Sequence, residues 1–255
     1  NTNGQLGDGT TTQKTTPVQI ASFTGVIAIA AGTSHSLALK SDGTVWAWGL
    51  NTNGRLGDGT TTQRTSPVQV STITGISAVA AGGSHSMALK SDGTVWSWGL
   101  NSNGQLGDGT TTQRTSPVQI SSFTTVTALA AGVTHSLAVK ANGTTWAWGL
   151  NSNSQLGDGT TTQRTAPVQV TSLTIGLKVA GGGSHSLVLT SEGTVVALGN
   201  DANGQLGDGV ATNLRPKIIQ SGTFIDILKV AAGTSHTLAI RDGGTVWSWG
   251  LNTNG

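Results

Sequence analysis

The stretch SHSLALKSDGTVWAWGLNTNGRLGDGTTTQ, Ser34 to Gln63, returns in close copies along the 255-residue chain. Its histidine recurs as His35, His85, His135, His185 and His236, three intervals of fifty residues and one of fifty-one. The extra residue falls in the last interval, where Val210 to Asp226 replaces the usual TTTQRTSPVQV segment. A repeat of this length marks a solenoid, a propeller or an array.

Apolar side chains inside the unit alternate with period two, as in Leu37 and Leu39 and then Trp46 and Trp48, which is the pattern of strands. Asp42-Gly43 between them reads as a tight hairpin whose positive φ angles suit glycine and are tolerated by aspartate. Val26 to Ala31 has the small side chains of a crowded strand near a central axis, and Asn51 to Gln63 reads as an irregular loop. Pro67 to Val70 reads as a short outer strand opened by proline. Four strands per unit, apolar on both faces, describe sheets covered by a neighbour on each side, the arrangement of propeller blades. The period and the abundance of glycine exclude a helical solenoid.

The fold expected is therefore all-β: a β-propeller of four-stranded blades, a single domain over 1–255. Its repeats fall at about 1–50, 51–100, 101–150, 151–200 and 201–251, with a further unit starting at 252–255. Pairing Pro17 to Ile20 with Val246 to Gly250 is expected to close a five-bladed ring with strands from both termini; part of a seven-bladed or longer array is the alternative. The sequence starts at Asn1 rather than methionine, as a processed chain or a piece of a longer one does.

Charged residues are 9% of the chain, thirteen Lys and Arg against eleven Asp and Glu, and no basic stripe is present. Nucleic acid is therefore not expected as a partner. The absence of cysteine excludes disulfides and thiolate metal sites. Apolar runs are too short for a spanning helix, so membrane insertion is not expected.

The five histidines occupy one equivalent position per copy, where bonding the backbone of a turn is the expected role. Asp8, Asp58, Asp108, Asp158 and Asp208 each stand in Leu-Gly-Asp-Gly, near an Asn51-Thr52-Asn53-Gly54 segment that faintly resembles a calcium loop. Calcium wants about six to eight oxygens with several carboxylates, so an Asx-turn bracing the loop is expected instead. The glycines of NGQLGDG lack the lysine and following helix of a phosphate cradle. The Trp pairs 46/48, 96/98, 146/148 and 247/249, replaced by Val196 and Leu198 in the fourth copy, are expected to pack blade on blade. Lys14, Arg64, Arg114 and Arg164 are expected on a solvated rim. Departures from symmetry, where a distinct partner site could sit, are Ala211 to Phe224 and Asn200-Asp201. No catalytic, cofactor-binding or metal-binding residue is assigned, and no cofactor is expected.

SHSLAL, DGTVWAWG and NGQLGDG in fixed order over all five units resemble the regulator of chromosome condensation repeat family. The resemblance implies a propeller; the best-known members have seven blades. The eponymous member acts as an exchange factor for the small GTPase Ran and binds chromatin, through loops and extensions with no counterpart here, so no exchange residue is carried over. The expected function is a non-catalytic repeat scaffold for protein-protein or surface binding, as a component of an extracellular or viral assembly. A protein or a cell or virion surface is the expected partner, with a cytoplasmic location as the alternative. Guanine-nucleotide exchange is the alternative function, by family resemblance only. A hydrolase or lyase ranks last, because no asymmetric cluster of titratable groups stands in the central-strand segments.

Overall fold

A computed structural model describes residues 1–171, 173–211, 215–220 and 224–253, the stretch 215–220 by its backbone alone. Nineteen strands form among the described residues, grouped in five consecutive antiparallel sheets. Blade one comprises β1 (Val26–Ala31), β2 (His35–Lys40), β3 (Val45–Gly49) and β4 (Arg64–Gln69), side by side in that order. Blade two is β5 (Ile76–Ala81), β6 (His85–Lys90), β7 (Val95–Gly99) and β8 (Arg114–Gln119). Blade three is β9 (Val126–Ala131), β10 (His135–Lys140), β11 (Thr145–Gly149) and β12 (Arg164–Gln169). Blade four is β13 (Gly176–Gly181), β14 (His185–Thr190), β15 (Val195–Gly199) and β16 (Arg215–Gln220). Blade five has β17 (Ile227–Ala232), β18 (His236–Arg241) and β19 (Val246–Gly250).

The hairpin differs in detail from the sequence reading. Lys40 N donates to Thr44 O and Gly43 N to Lys40 O, and Gly43 takes φ +78° while Asp42 keeps a negative φ. Asp42 serves instead as an acceptor, for Thr44 N at 3.0 Å and Thr44 Oγ1 at 2.6 Å. The outer strand starts at Arg64, three residues before the proline. Its ladder jumps from Gly49↔Arg64 to Ala47↔Val68, so Pro67 sits in the irregular stretch where a missing N–H is tolerated.

Each junction between blades has its own apolar core. Leu37, Leu39 and Val45 of blade one meet Val79, Ala81, Trp96 and Trp98 of blade two. Met87, Leu89 and Val95 repeat this against Leu129, Trp146 and Trp148 of blade three. Leu187, Leu189 and Val195 repeat it against Val230 and Trp249 of blade five. One side of a blade thus supplies aliphatic residues, and the other supplies a Val or Leu with an indole, or with Val196 and Leu198 in blade four. This explains why neither face of the repeat is polar.

The expected five-bladed closure does not occur. Blade five is a three-stranded sheet, and residues 14–20 lie outside any strand instead of pairing with β19. Blade one leaves Ile29 79% exposed, and blade five leaves Val246 70% exposed, although its counterpart Val95 is fully buried. The turn from one blade to the next is set by the packing of indoles, leucines and the small residues of the inner strands. Four such turns between five blades leave an open arc.

Candidate functional site

The longest loop of each unit follows its third strand, and its polar groups are spent on one another. Asn51 Nδ2 donates to Asp58 Oδ1 at 3.1 Å, Thr60 O at 3.1 Å and Thr62 O at 3.0 Å, while its Oδ1 accepts from Leu56 N. Asp58 accepts from Thr60 N and Thr60 Oγ1, the Asx-turn expected at this position. Arg64 closes the network, with Nε 2.8 Å and Nη2 2.7 Å from Asp58 Oδ2. Arg114 with Asp108 and Arg164 with Asp158 repeat the pair, and Lys14 meets Asp8 at 3.4 Å. These cations are clamps on their own loops rather than the free solvated rim expected from sequence; the carboxylate six residues upstream was the signal. Burial alone would raise the Asp58 carboxyl, but hydrogen bonds from Thr60 and Arg64 outweigh it and hold the group below the ordinary carboxylate range.

The loop also builds the next junction. Trp98 Nε1 and Ser86 Oγ of blade two both donate to Arg55 O, at 2.9 and 2.7 Å. Trp148 and Ser136 do the same to Gln105 O, and Trp249 and Thr237 to Gln205 O. A Cβ on Gly57, which sits at φ +71°, would lie 2.7 Å from Trp98 Nε1, so this glycine makes room for the indole. In the fourth copy Leu198 replaces the tryptophan and packs against Gly157.

The histidines bond across the junctions, not to a backbone turn as expected. His35 Nε2 lies 2.9 Å from Ser86 Oγ, His85 from Ser136 and His135 from Ser186 at the same distance, and His185 lies 3.2 Å from Thr237 Oγ1. A histidine beside a serine suggests a nucleophile and its base. The hydroxyl proton is already committed, however, because Ser86 Oγ donates to Arg55 O. His35 Nε2 is therefore the donor, and the imidazole cannot take the proton that activation would require. The pairs are also closed to substrate, with His85, His135, Ser136 and Ser186 fully buried. Burial pushes His85 and His185 down to about 4, and His35 and His135 to about 3; Arg55 adds to the effect at His35, and the neighbouring histidines at His135.

The departures from symmetry behave differently. Asp201 stands where Asn51 stands in the first unit; it is buried and accepts from Leu206 N at 2.9 Å. A carboxylate cannot donate as the Asn51 amide does, so this loop is held in another way. Asn200 Oδ1 accepts from Ala202 N. Most of Ala211 to Phe224 lies outside the described side chains. A depression of about 320 Å³ at the centre of the arc is lined by Gly32, Gly82, Gly132, Gly182 and Gly233 and carries no titratable group. Among the described residues no three His, Cys, Asp or Glu side chains converge, and no helix is long and apolar enough to cross a membrane.

Radial four-stranded blades, joined by a buried His-Ser bond and an indole seated on the preceding loop, define an open β-propeller of about fifty-residue repeats. The family model of the RCC1-like domain matches residues 1–255 in full. The chain belongs to that family, as the sequence resemblance implied. A segment of 47 residues, 18% of this chain, is 49% identical to Protein RCC1 of Candida albicans and spans 10% of that protein. Human WBSCR16 superposes with a TM-score of 0.79 at 27% identity, over 89% of this chain and 62% of its own. Prp20p of Saccharomyces cerevisiae, described with its binding to Gsp1p and histones, superposes with a TM-score of 0.69 at 21% identity, over 88% and 72%. Yeast RCC1 (Prp20) bound to Kap60 gives the same score at 20% identity, over 88% and 70%. The chain thus spans less than two thirds of WBSCR16 and a small fraction of the curated relative.

Proposed function

We propose that the chain is a non-catalytic scaffold that binds a protein partner through the loops following the third strands, at an extracellular or virion surface. The observation that carries this reading is that the polar groups of the repeated loops and junctions are used on one another: Asp58 by Arg64 and Thr60, Asn51 by its own loop, and His35 by Ser86. What the loops present outward is the tip at Thr61, Thr111 and Thr161, exposed in equivalent copies and suited to multivalent contact. Relatives described with Kap60, Gsp1p and histones bind proteins on this fold, and low charge with no cysteine favours the surface location over a cytoplasmic one.

The test is capture of a partner by the whole chain, followed by titration of the identified protein. Replacing Thr61, Thr111 and Thr161 by Lys abolishes binding, whereas Asp42→Ala on the opposite face leaves it intact. Turnover of a substrate, or binding insensitive to the triple change, overturns the reading. Nucleotide exchange is the second reading, from kinship with Prp20p; release of labelled GDP from a small GTPase at the intrinsic rate removes it.

A further inference from the structure

One position in the repeated loop breaks the symmetry with a charge. Gln5, Gln105, Gln155 and Gln205 are equivalent, and the second copy has Arg55 in their place. Each glutamine turns its Oε1 back to accept from a backbone N–H two residues earlier, as Gln105 does from Asn103 N at 2.9 Å. Arginine has no acceptor to offer there, and its guanidinium reaches instead to Gly83 of the next blade. Only 4% of Arg55 is exposed. A charge withdrawn from water to this degree is ordinarily paired with a carboxylate. Among the described residues no ion pair to Arg55 forms, and its Nε has no hydrogen-bond partner. Nη2 is 2.8 Å from Asn53 Oδ1, but its contact with Thr52 Oγ1 is 3.5 Å and that of Nη1 with Gly83 O is 3.3 Å. A guanidinium bonded to a carboxylate sits at about 2.7–2.9 Å, so two of the three bonds are long and all go to neutral acceptors. Burial accordingly draws the Arg55 pKa below its ordinary value.

The place of this cation in the fold supplies the second observation. Gly83 belongs to the wall of the central depression of about 320 Å³, whose lining carries no titratable group. Thr33, Val133 and Thr234 stand at the equivalent of Gly83 in other blades, so the wall beside Arg55 is bare backbone where theirs carries a side chain. We propose that Arg55 is the receptor for a carboxylate, gripped end-on by Nη1 and Nη2 at the edge of the central depression. The carboxylate replaces the long bonds to Gly83 O and Thr52 Oγ1, exchanging two neutral acceptors for one charged group that matches the planar fork. A single negative charge answers the single positive one, whereas a phosphate dianion finds no second cation in the lining. An acidic side chain and a chain terminus present the same group. Because the other four copies hold glutamine, the site occurs once, and it fixes the orientation of a ligand on a surface that is otherwise repeated. The site does not depend on the threonine tips.

Titration of the whole chain followed by the arginine Nε–Hε resonances tests this, with the Arg55 resonance identified by its absence from Arg55→Gln. The probes are N-acetylglutamate α-amide for a side-chain carboxylate, N-acetylglycine for a terminal one, N-acetylglutamine amide as the uncharged control, and inorganic phosphate. One or both carboxylates shift the Arg55 resonance saturably in the millimolar range, and the one that binds more tightly names the source. The resonances of Arg64, Arg114 and Arg164, already clamped by their own aspartates, stay in place. Arg55→Gln installs the residue of the other four copies and keeps the urea midpoint at or above that of the native chain. Calorimetry then reads an affinity for the carboxylate lowered about tenfold or more. Replacing Thr61, Thr111 and Thr161 by Lys leaves the shift intact, so this inference and the tip reading fail separately. The absence of a saturable shift overturns the proposal, as does an equal shift of the clamped arginines or of Arg55 with the uncharged control. Phosphate binding more tightly than both carboxylates, or an unchanged affinity in Arg55→Gln, overturns it too.

Discussion

Acidification should unfold this protein in a window set by its buried histidines. Four imidazoles lie at junctions with folded values of about 3 or about 4, against an ordinary 6.5. The cause is burial first, with a neighbouring guanidinium at His35 and neighbouring imidazoles at His135. Above 6.5 both folded and unfolded chains hold neutral histidines, and stability is undiminished. As pH falls below 6.5 the unfolded chain takes up protons that the folded chain refuses. Each site then forfeits about 1.4 kcal/mol per pH unit until its folded value is reached. Four sites together lose about 5 kcal/mol per unit, against a total of about 5–15 kcal/mol for an ordinary domain, which puts acid unfolding near pH 5. Asp58, Asp108 and Asp158 act lower: their folded values lie below 3.8, so their contribution is full above that value and is lost only as pH falls through it. Urea unfolding followed by tryptophan fluorescence at half-unit steps from pH 8 to 5 reads the slope, and His85→Gln should remove about a quarter of it. A flat stability between pH 7 and 5, or resonances of His35, His85, His135 and His185 titrating near 6.5 in the native protein, refutes the reasoning.

Four further outcomes follow from the loop and the junction. Gly107→Ala meets both a left-handed φ of +71° and the Trp148 indole nitrogen at 2.7 Å, whereas Gly109→Ala, at φ +83°, meets nothing within 4 Å. Urea midpoints should show a loss of about 3 kcal/mol or more for the first and about 1–2 kcal/mol for the second; equal losses would remove the indole seat from the account. Asn101→Ala deletes donors to Asp108, Thr110 O and Thr112 O and the acceptor for Leu106 N, and should cost about 2–3 kcal/mol by the same measurement. Arg114→Ala, whose side chain is 36% exposed, should cost about 1 kcal/mol or less. Trp98→Ala empties a fully buried junction site and should cost about 3–5 kcal/mol, with thermal melting as the check.

How much of this was legible in the sequence depends on whether a feature is local to one repeat. β1, spanning Val26–Ala31, coincides with the reading of that segment, and Trp96, Trp98, Trp146, Trp148 and Trp249 pack at junctions as their period implied, whereas Trp46 and Trp48 pack on Phe23 and Trp247 is 47% exposed. These features follow from alternation within six residues. The acceptor of His35 was not legible, because Ser86 lies fifty-one positions away and the nearer backbone offered a simpler partner. The Arg64–Asp58 clamp spans six residues with no regular element between them, so no periodicity announced it. Ring closure failed for a different reason. Strand arithmetic supplied a partner for β19 in residues 14–20, but pairing is decided by the angle between blades, and that angle belongs to no single repeat.

That distinction also says where function can reside. The repeated units use their chemistry on the junctions: His35, His85, His135 and His185 each bond a hydroxyl of the next blade, Gly57, Gly107 and Gly207 seat an indole, and Asn51 and Asn101 tie down the loop whose carbonyl the indole needs. A change in any of them propagates to the next blade, which ties these residues to architecture and withdraws them from catalysis. The residues released from that duty are the exposed threonine tips, the loop rebuilt around Asp201, and the two uncovered faces. Ser34 to Gln63, rich in groups that elsewhere perform chemistry, is therefore an instruction for attaching one blade to another. Ile29 and Val246 are exposed because the two end blades have no neighbouring blade on those sides of the arc.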